Sequence, residues 1–421
     1  MSQRAKALLG RLVVVQDSEI RALLLACAYG FAFFTAYAVI RPLRDAMALA
    51  GGVRDLPWLF AATLVAMLAL HPLYSALVSR WSRRVFVAFT SRFFAVNLGV
   101  FLLLGLVLEG SAGLWLARVF FVWTSVFNLF VLSIFWSFLA DLFTQEQARR
   151  LFGFIAVGVT VGGIVGSGLT SILADRHDLL FLLPVSMALL EVAARMAGAL
   201  CEEGMGHREN TSDEGVLGGG IGEGITTVFG SPYLLGIAAF MLIYTITATF
   251  LYFLQAEVVS DAFATRGART AFFARLDLVV NTLTVLVQIF ATGRLMKKWG
   301  PAVALVTLPA VCVIGFLWLG SAPTLWAVAA FQIVRRTTNY GLTRPAREVL
   351  YTVVSRTARY KAKNFIDTTV YRAGDQIGAW SWALMGLVGL GALASAWVAA
   401  PLSVVWLILG AWLGRQCARR T

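Results

Sequence analysis

Charged side chains are scarce in this chain. Only 14% of its 421 residues are Asp, Glu, Lys or Arg, whereas 59% are hydrophobic and the mean hydropathy is +0.79. A soluble domain of this length cannot cover its surface from so small a polar supply, which excludes a soluble globular protein. Histidine is scarcer still: the three residues, His71, His177 and His207, show no HExxH or comparable spacing. Zinc hydrolysis and histidine-activated nucleophiles therefore lack their residues, so an enzyme is not expected and neither is a cofactor or a metal. The four cysteines, Cys27, Cys201, Cys312 and Cys417, form no pair at metal or redox spacing and read as small packing residues. No soluble module is present to hold nucleic acid. The net charge of +13 reads instead as anchoring to an anionic inner leaflet.

Long apolar runs fill the chain. Stretches of about 20 residues, enough to cross a bilayer, recur from end to end. They lie near 20–42, 57–79, 85–108, 113–139, 149–173, 179–200, 232–258, 270–295, 300–320, 323–350, 364–390 and 394–414. The expectation is an all-α integral membrane protein of about twelve transmembrane helices. The start, MSQRAKALLGRLVVVQDSEI, has an apolar run too short for a cleavable signal and reads as a basic amphipathic leader. Lys and Arg cluster at alternate ends of the spans, as at Arg80, Arg83 and Arg84, at Arg294, Lys297 and Lys298, and at Arg415, Arg419 and Arg420. Short cytoplasmic loops retain such residues, so both termini are expected in the cytoplasm and the protein in a bacterial inner membrane.

The chain divides at residues 201–231, a polar, acidic, glycine-rich stretch with six spans on either side, giving halves at 1–200 and 232–421. SALVSRWSRRVFVAF after the second span and ATGRLMKKWGPAVAL after the eighth occupy equivalent places in the two halves. Two similar six-helix halves with a site between them near the midplane is the major-facilitator plan. In the fifth span, Gly158, Gly162 and Gly166 recur every four residues and predict a smooth stripe for close helix packing.

Charge inside the spans points to function, because an ionised side chain at a helix centre is costly and needs a cavity or a partner. Arg118, Arg195, Arg275, Arg335, Arg336, Arg344, Arg347 and Arg372 fall within spans, against Glu191, Asp277, Glu348, Asp367 and Asp375. The excess is cationic, which favours a wet cavity for an anion. Internal pairing is the alternative: Lys363 with Asp367 and Glu191 with Arg195 at i, i+4, Arg372 with Asp375 at i, i+3, and Arg347 and Glu348 with different partners. On an ideal helix Lys363, Asp367 and Tyr371 share one stripe.

The segment RRTTNYGLTRPAREVLYTVVSRTARYKAKNFIDTTVYRAGD resembles the ATP/ADP translocase family of nucleotide exchange transporters. That family carries Y-x-x-x-D-P-T-K-E-M, a short loop, K-G-K-x-x-I-D and then R-x-G-K. Here the matching positions are Tyr340, Pro345, Arg347, Glu348, Lys361, Lys363, Ile366, Asp367, Arg372 and Gly374. IRPLRDAM in the first span is similar to the family's R-D-T-K-D and places Arg41, Arg44 and Asp45 on its charged positions. FWSFLADLFTQEQARRLFGFIAVGVTVGGIVGSG is similar to its F-W-x-F-A-N and glycine-rich segment. Two departures stand out: Asp375 replaces the Lys after R-x-G, and Arg344 replaces the Asp before Pro.

The resemblance implies a major-facilitator fold and exchange of a phosphorylated, nucleotide-like anion by alternating access. Arg41, Arg44, Arg347, Lys363 and Arg372 are the expected substrate-binding residues, with Asp45, Asp277, Glu348, Asp367 and Asp375 as gating or coupling partners. The expected partners are that anionic small molecule and the lipid bilayer, with the protein a monomer. The competing readings are a proton-coupled drug or small-solute antiporter, which calls for an acidic, aromatic cavity, and a membrane receptor that binds solute without moving it.

Overall fold

The computed structural model describes residues 16, 19–80, 83–176, 179–204, 221–355, 362–363 and 365–420. The leader, most of the central linker, His177, His207 and Lys361 lie outside the described residues. Among the described residues the regular structure is helical throughout. This follows from the solvent: in hydrocarbon every backbone N–H and C=O needs a partner within its own segment, and an α-helix supplies it.

The helices, in chain order, are α1 (Ile20–Ala48), α2 (Leu56–Arg80), α3 (Arg83–Val107), α4 (Gly110–Leu142), α5 (Gln145–Arg176), α6 (Leu182–Gly204), the short α7 (Ile221–Phe229), α8 (Pro232–Ala262), α9 (Arg266–Val287), α10 (Gly293–Ser321), α11 (Leu325–Thr338), α12 (Arg344–Leu350), α13 (Tyr371–Leu387) and α14 (Ala392–Arg420). Local chemistry sets several boundaries. Ser231 caps α8 by accepting from the Leu234 N–H, with Pro232 in the first turn, and Thr324 caps α11 through the Ala327 N–H. Gly300, at φ 73°, turns the chain inside α10, so residues 293–299 extend the eighth span and 301–321 form the ninth.

Three π-helical turns interrupt the second half, at Gln288–Thr292, Asn339–Thr343 and Ile366–Val370. The first joins α9 to α10, the second joins α11 to α12, and the third leads into α13. Two of them hold each other: Gln288 Nε2 donates to the Tyr340 carbonyl and Thr292 Oγ1 to the Gly341 carbonyl. These are backbone acceptors that a π turn leaves without their usual α-helical donor.

The protein is an all-α membrane protein with about twelve spans. Ten of the described spans are long and apolar enough by themselves. The other two are 325–350 and 366–387, where charges and π turns interrupt the apolar run. Exposed Val107, Trp326 and Leu387 lie on surfaces suited to lipid. The first span runs further than its apolar run predicts: α1 continues past Pro42 to Ala48, so Arg41, Arg44 and Asp45 belong to its last turns.

Two compact units emerge. The first comprises residues 1–50, 62–213 and 265–278, and the second 51–61, 214–264 and 279–421. In the first unit the glycine stripe of α5 lies directly on α1. A Cβ on Gly158 would stand 2.9 Å from the Cys27 carbonyl oxygen, and one on Gly162 2.6 Å from that of Phe31. Tyr29, Phe33, Phe127 and Phe135 fill the core beside this contact. The second unit repeats the device with other residues: Gly378 of α13 faces the Ile246 carbonyl and the Thr249 side chain of α8, and Gly374 faces Thr245. Its core is built from Phe240, Phe316, Phe331 and Trp406. The threonines on these faces return their hydroxyls to the preceding turn, Thr35 to Phe31 and Thr249 to Thr245, so they pack as small residues with no orphaned polar atom.

Candidate functional site

In the first unit, Arg44 Nε donates to Asp45 Oδ1 at 3.0 Å, and the same guanidinium reaches Ser125 Oγ at 3.4 Å and lies 4.9 Å from the Phe121 ring centre. One turn earlier Arg41 Nε stands 3.7 Å from Asp277 Oδ2 of α9, a carboxylate whose side chain is only 6% exposed. Arg41 and Arg44, predicted as a joint anion contact, thus hold separate carboxylates from separate elements.

In the second unit the expected pairing within one helix does not occur. Lys363 Nζ contacts Glu348, and Arg347 Nη2 lies 3.7 Å from Asp367 Oδ1. The expected i, i+4 pair of Lys363 with Asp367 is therefore corrected. The physical reason is the π turn at 366–370, whose wider pitch of about 4.4 residues breaks the 3.6-residue stripe that the pairing assumed. The shorter pairs follow expectation: Arg372 Nη1 donates to Asp375 Oδ2 at 3.2 Å, and Arg195 Nε to Glu191 Oε1 at 3.0 Å. Glu191 also accepts from Arg92.

Each of the five predicted cations consequently has one of the five predicted acids beside it: Arg41 with Asp277, Arg44 with Asp45, Arg347 with Asp367, Lys363 with Glu348, and Arg372 with Asp375. They are not equally satisfied. Arg347 is 12% exposed, its Nε has no hydrogen-bond partner, and its Nη1 meets only the Met241 sulfur, a weak acceptor.

With twelve spans, paired intramembrane charges and the glycine-packed repeat on the page, the family is decided by the match of residues 22–362 to the Major Facilitator Superfamily model. The chain belongs to the Major Facilitator Superfamily. It is a multi-pass membrane transporter. This facilitator is 23% identical over 211 residues to ADP,ATP carrier protein 2 of Chlamydia pneumoniae, covering 44% of the chain and 39% of the relative. Against ADP,ATP carrier protein 2 of Chlamydia trachomatis it is 24% identical over 218 residues, covering 45% and 40%. The facilitator thus spans about two fifths of the length of the curated relatives it matches. Among solved structures it is similar to a bacterial homologue of the iron transporter ferroportin in an inward-facing state, at 13% identity and TM-score 0.65 over 93% of this chain and all of the other. It is also similar to the nucleoside transporter NupG, at 11% identity and TM-score 0.60 over 94% and 99%. At such identities the structural likeness concerns the fold.

Residues that the sequence patterns did not nominate gather around Tyr244 of α8. Arg335 of α11 lies with its guanidinium carbon 5.4 Å from the Tyr244 ring centre, and Asn339 Nδ2 donates to the Tyr244 hydroxyl at 3.0 Å. Tyr371 packs on the same ring at 6.4 Å between centres. Arg335 was visible in the sequence as one of several intramembrane arginines. Tyr244 and Asn339 carried no signal, because nothing in a tyrosine within an apolar run distinguishes a polar neighbourhood from a lipid-facing one.

Proposed function

We propose that this facilitator moves a phosphorylated or nucleotide-like organic anion across a bacterial inner membrane by alternating access, as an exchanger, with both termini in the cytoplasm. Arg347 carries the reading: it is a nearly buried guanidinium whose carboxylate partner stands at 3.7 Å and whose Nε is unsatisfied. Such a group has hydrogen-bonding capacity left over for an incoming oxyanion, and a planar guanidinium suits phosphate. The similarity to ADP,ATP carriers supports the same cargo class.

In this scheme the ion pairs are the switch. A cargo anion competes with Asp367, Glu348 and Asp375 for Arg347, Lys363 and Arg372, so arrival of the anion frees carboxylates and departure restores the pairs. Exchange follows physically, because an empty site whose cations are neutralised internally is the state least inclined to change. Arg41 with Asp277 and Arg44 with Asp45 serve the same purpose in the first unit.

The test is uptake by proteoliposomes of labelled ATP, ADP, other nucleotides and smaller organic phosphates, with and without internal counter-substrate and with and without a proton gradient. Uptake stimulated by internal nucleotide and lost in Arg347→Gln supports exchange of a phosphorylated anion. Gradient-driven movement of a cationic compound with no anion uptake overturns it in favour of a drug antiporter.

A further inference from the structure

The five predicted cations each have a carboxylate at hand, so any anion that engages them must first displace an internal partner. Arg335 differs. It is 5% exposed, takes part in none of the ion pairs among the described residues, and leaves both Nε and Nη2 without a hydrogen-bond partner. The Cys312 thiol, a weak acceptor, lies against it, and the Tyr244 ring lies beneath it. An arginine cannot shed its proton to escape burial, and a ring face offsets only part of the lost hydration. A buried cation without a counter-ion is among the least favourable arrangements in a folded protein unless something else supplies the charge.

We propose that the missing counter-ion is the cargo itself, and that Arg335 grips its phosphoryl group side-on. This rests on the anionic-cargo reading above and adds the contact that makes it. Nε and Nη2 lie on the same edge of the guanidinium, so the two open donors form the parallel fork that takes two oxygens of one phosphate. The Tyr244 hydroxyl accepts from Asn339, which fixes the ring and leaves its O–H hydrogen as a further donor. The charges acting on Tyr244 are chiefly those of Arg335, Arg347 and Arg344. Of these three, Arg347 has Asp367 beside it. A surplus of this size suits a doubly charged phosphoryl group better than a single carboxylate. The π turn that begins at Asn339, directly after α11, gives this stretch a path that a regular helix would not.

The experiment uses the purified full chain in lipid nanodiscs, with ATP, ADP and inorganic pyrophosphate as probes. Binding is measured by calorimetry and thermal unfolding is followed with and without each probe, for the wild type, Arg335→Gln, Arg335→Lys and Arg347→Gln. Arg335→Gln is expected to weaken binding roughly a hundredfold, and Arg335→Lys about tenfold, because a point charge remains but the fork is lost. Without ligand, Arg335→Gln is expected to unfold at the wild-type temperature or above it, since it removes an uncompensated charge. Wild-type binding with Arg335→Gln within about twofold of it overturns the assignment of Arg335 while leaving the anionic reading intact. A ligand-free Arg335→Gln that unfolds several degrees lower marks Arg335 as structural and also overturns it. A wild type that binds none of the three probes removes the anionic reading and this inference together.

Discussion

Arg347 of α12 stands 3.7 Å from Asp367, while Glu348, its immediate neighbour in sequence, contacts Lys363. Two consecutive residues of opposite charge thus reach across to two residues of opposite charge that lead into α13, and the four charges cancel pairwise. A helix carries its neighbours in different directions, so adjacent Arg and Glu cannot neutralise one another but can each meet a separate partner. The pairing explains how residues 362–375 remain at membrane depth with Lys363, Asp367, Arg372 and Asp375 among them. It also fixes the joint between the tenth and eleventh spans by charge, the one kind of contact that an anionic cargo can compete for.

Neutralising Asp367 is therefore expected to cost more than neutralising both members of its pair. Asp367→Asn leaves Arg347 nearly buried with still fewer acceptors, a loss of about 1–3 kcal/mol. Arg347→Gln combined with Asp367→Asn is expected to fall short of the sum of the single effects by about 0.5–3 kcal/mol. Thermal or denaturant unfolding in detergent measures the cycle, and strict additivity would show that the two side chains do not interact.

Much of the fold was legible because bilayer thickness imposes one length on every span, and apolar runs of that length are visible without any structure. The glycine stripe of α5 was legible for the same reason, since a smooth helix face shows as a four-residue repeat. The boundaries of α1 were less so: Pro42 and the charges after it mimic a helix end, yet α1 continues to Ala48. The candidate site was read as to residue type but not as to pairing. Lys363 and Asp367 share a face only at 3.6 residues per turn, and the π turn at 366–370 cancels that assumption. Nothing in IDTTV announces a π turn, because it arises from how the segment packs and not from its own propensities.

The close approach of α5 to α1 makes a steric prediction. A side chain at Gly162 would drive its Cβ into the Phe31 carbonyl and the Thr35 hydroxyl, at 2.6 and 3.0 Å, and backbone cannot step aside. Gly162→Leu is expected to destabilise by about 1–3 kcal/mol or to abolish folding. Gly153 lies on the same helix with nothing within 4 Å of its Cβ position, so Gly153→Ala is expected to be neutral or stabilising by up to about 1 kcal/mol. Size-exclusion profiles and unfolding temperatures distinguish the two, and equal tolerance at both positions would contradict the packing.

Glu19, just before α1, supplies a pH dependence outside the spans. Burial alone would raise its pKa, but the Gln16 N–H, the Arg150 guanidinium and Gln147 outweigh burial and hold the carboxyl below its usual value. Arg150 donates to both oxygens, at 3.0 and 3.2 Å, which ties the start of α5 to the start of α1. A group whose folded pKa is depressed stabilises above its unfolded value, about 4.3 for Glu, and loses that contribution as the pH falls through the folded value. Glu19→Gln is expected to lower the unfolding temperature at pH 7, with the gap to wild type closing below about pH 4. A gap independent of pH would mean that the carboxylate charge does not hold this contact.

The last prediction concerns Arg41, for which attraction of cargo and pairing with Asp277 make opposite demands. The Asp277 side chain is 6% exposed and the Arg41 side chain 27%, so Asp277 depends on the pair more than Arg41 does. If the pair is the working unit, Arg41→Gln leaves an uncompensated carboxylate at membrane depth, and uptake is expected to fall about tenfold or more. Exchanging the charges, Arg41→Asp with Asp277→Arg, is then expected to restore a substantial part of that uptake, because an ion pair is indifferent to which helix contributes the cation. If Arg41 instead touches the anion, the exchanged protein places a carboxylate where the phosphoryl group arrives and is expected to transport no better than Arg41→Gln. Uptake by the three variants in the same proteoliposomes therefore separates a latch between α1 and α9 from a cargo contact. A swap that recovers transport while leaving nucleotide binding unchanged assigns Arg41 to the latch.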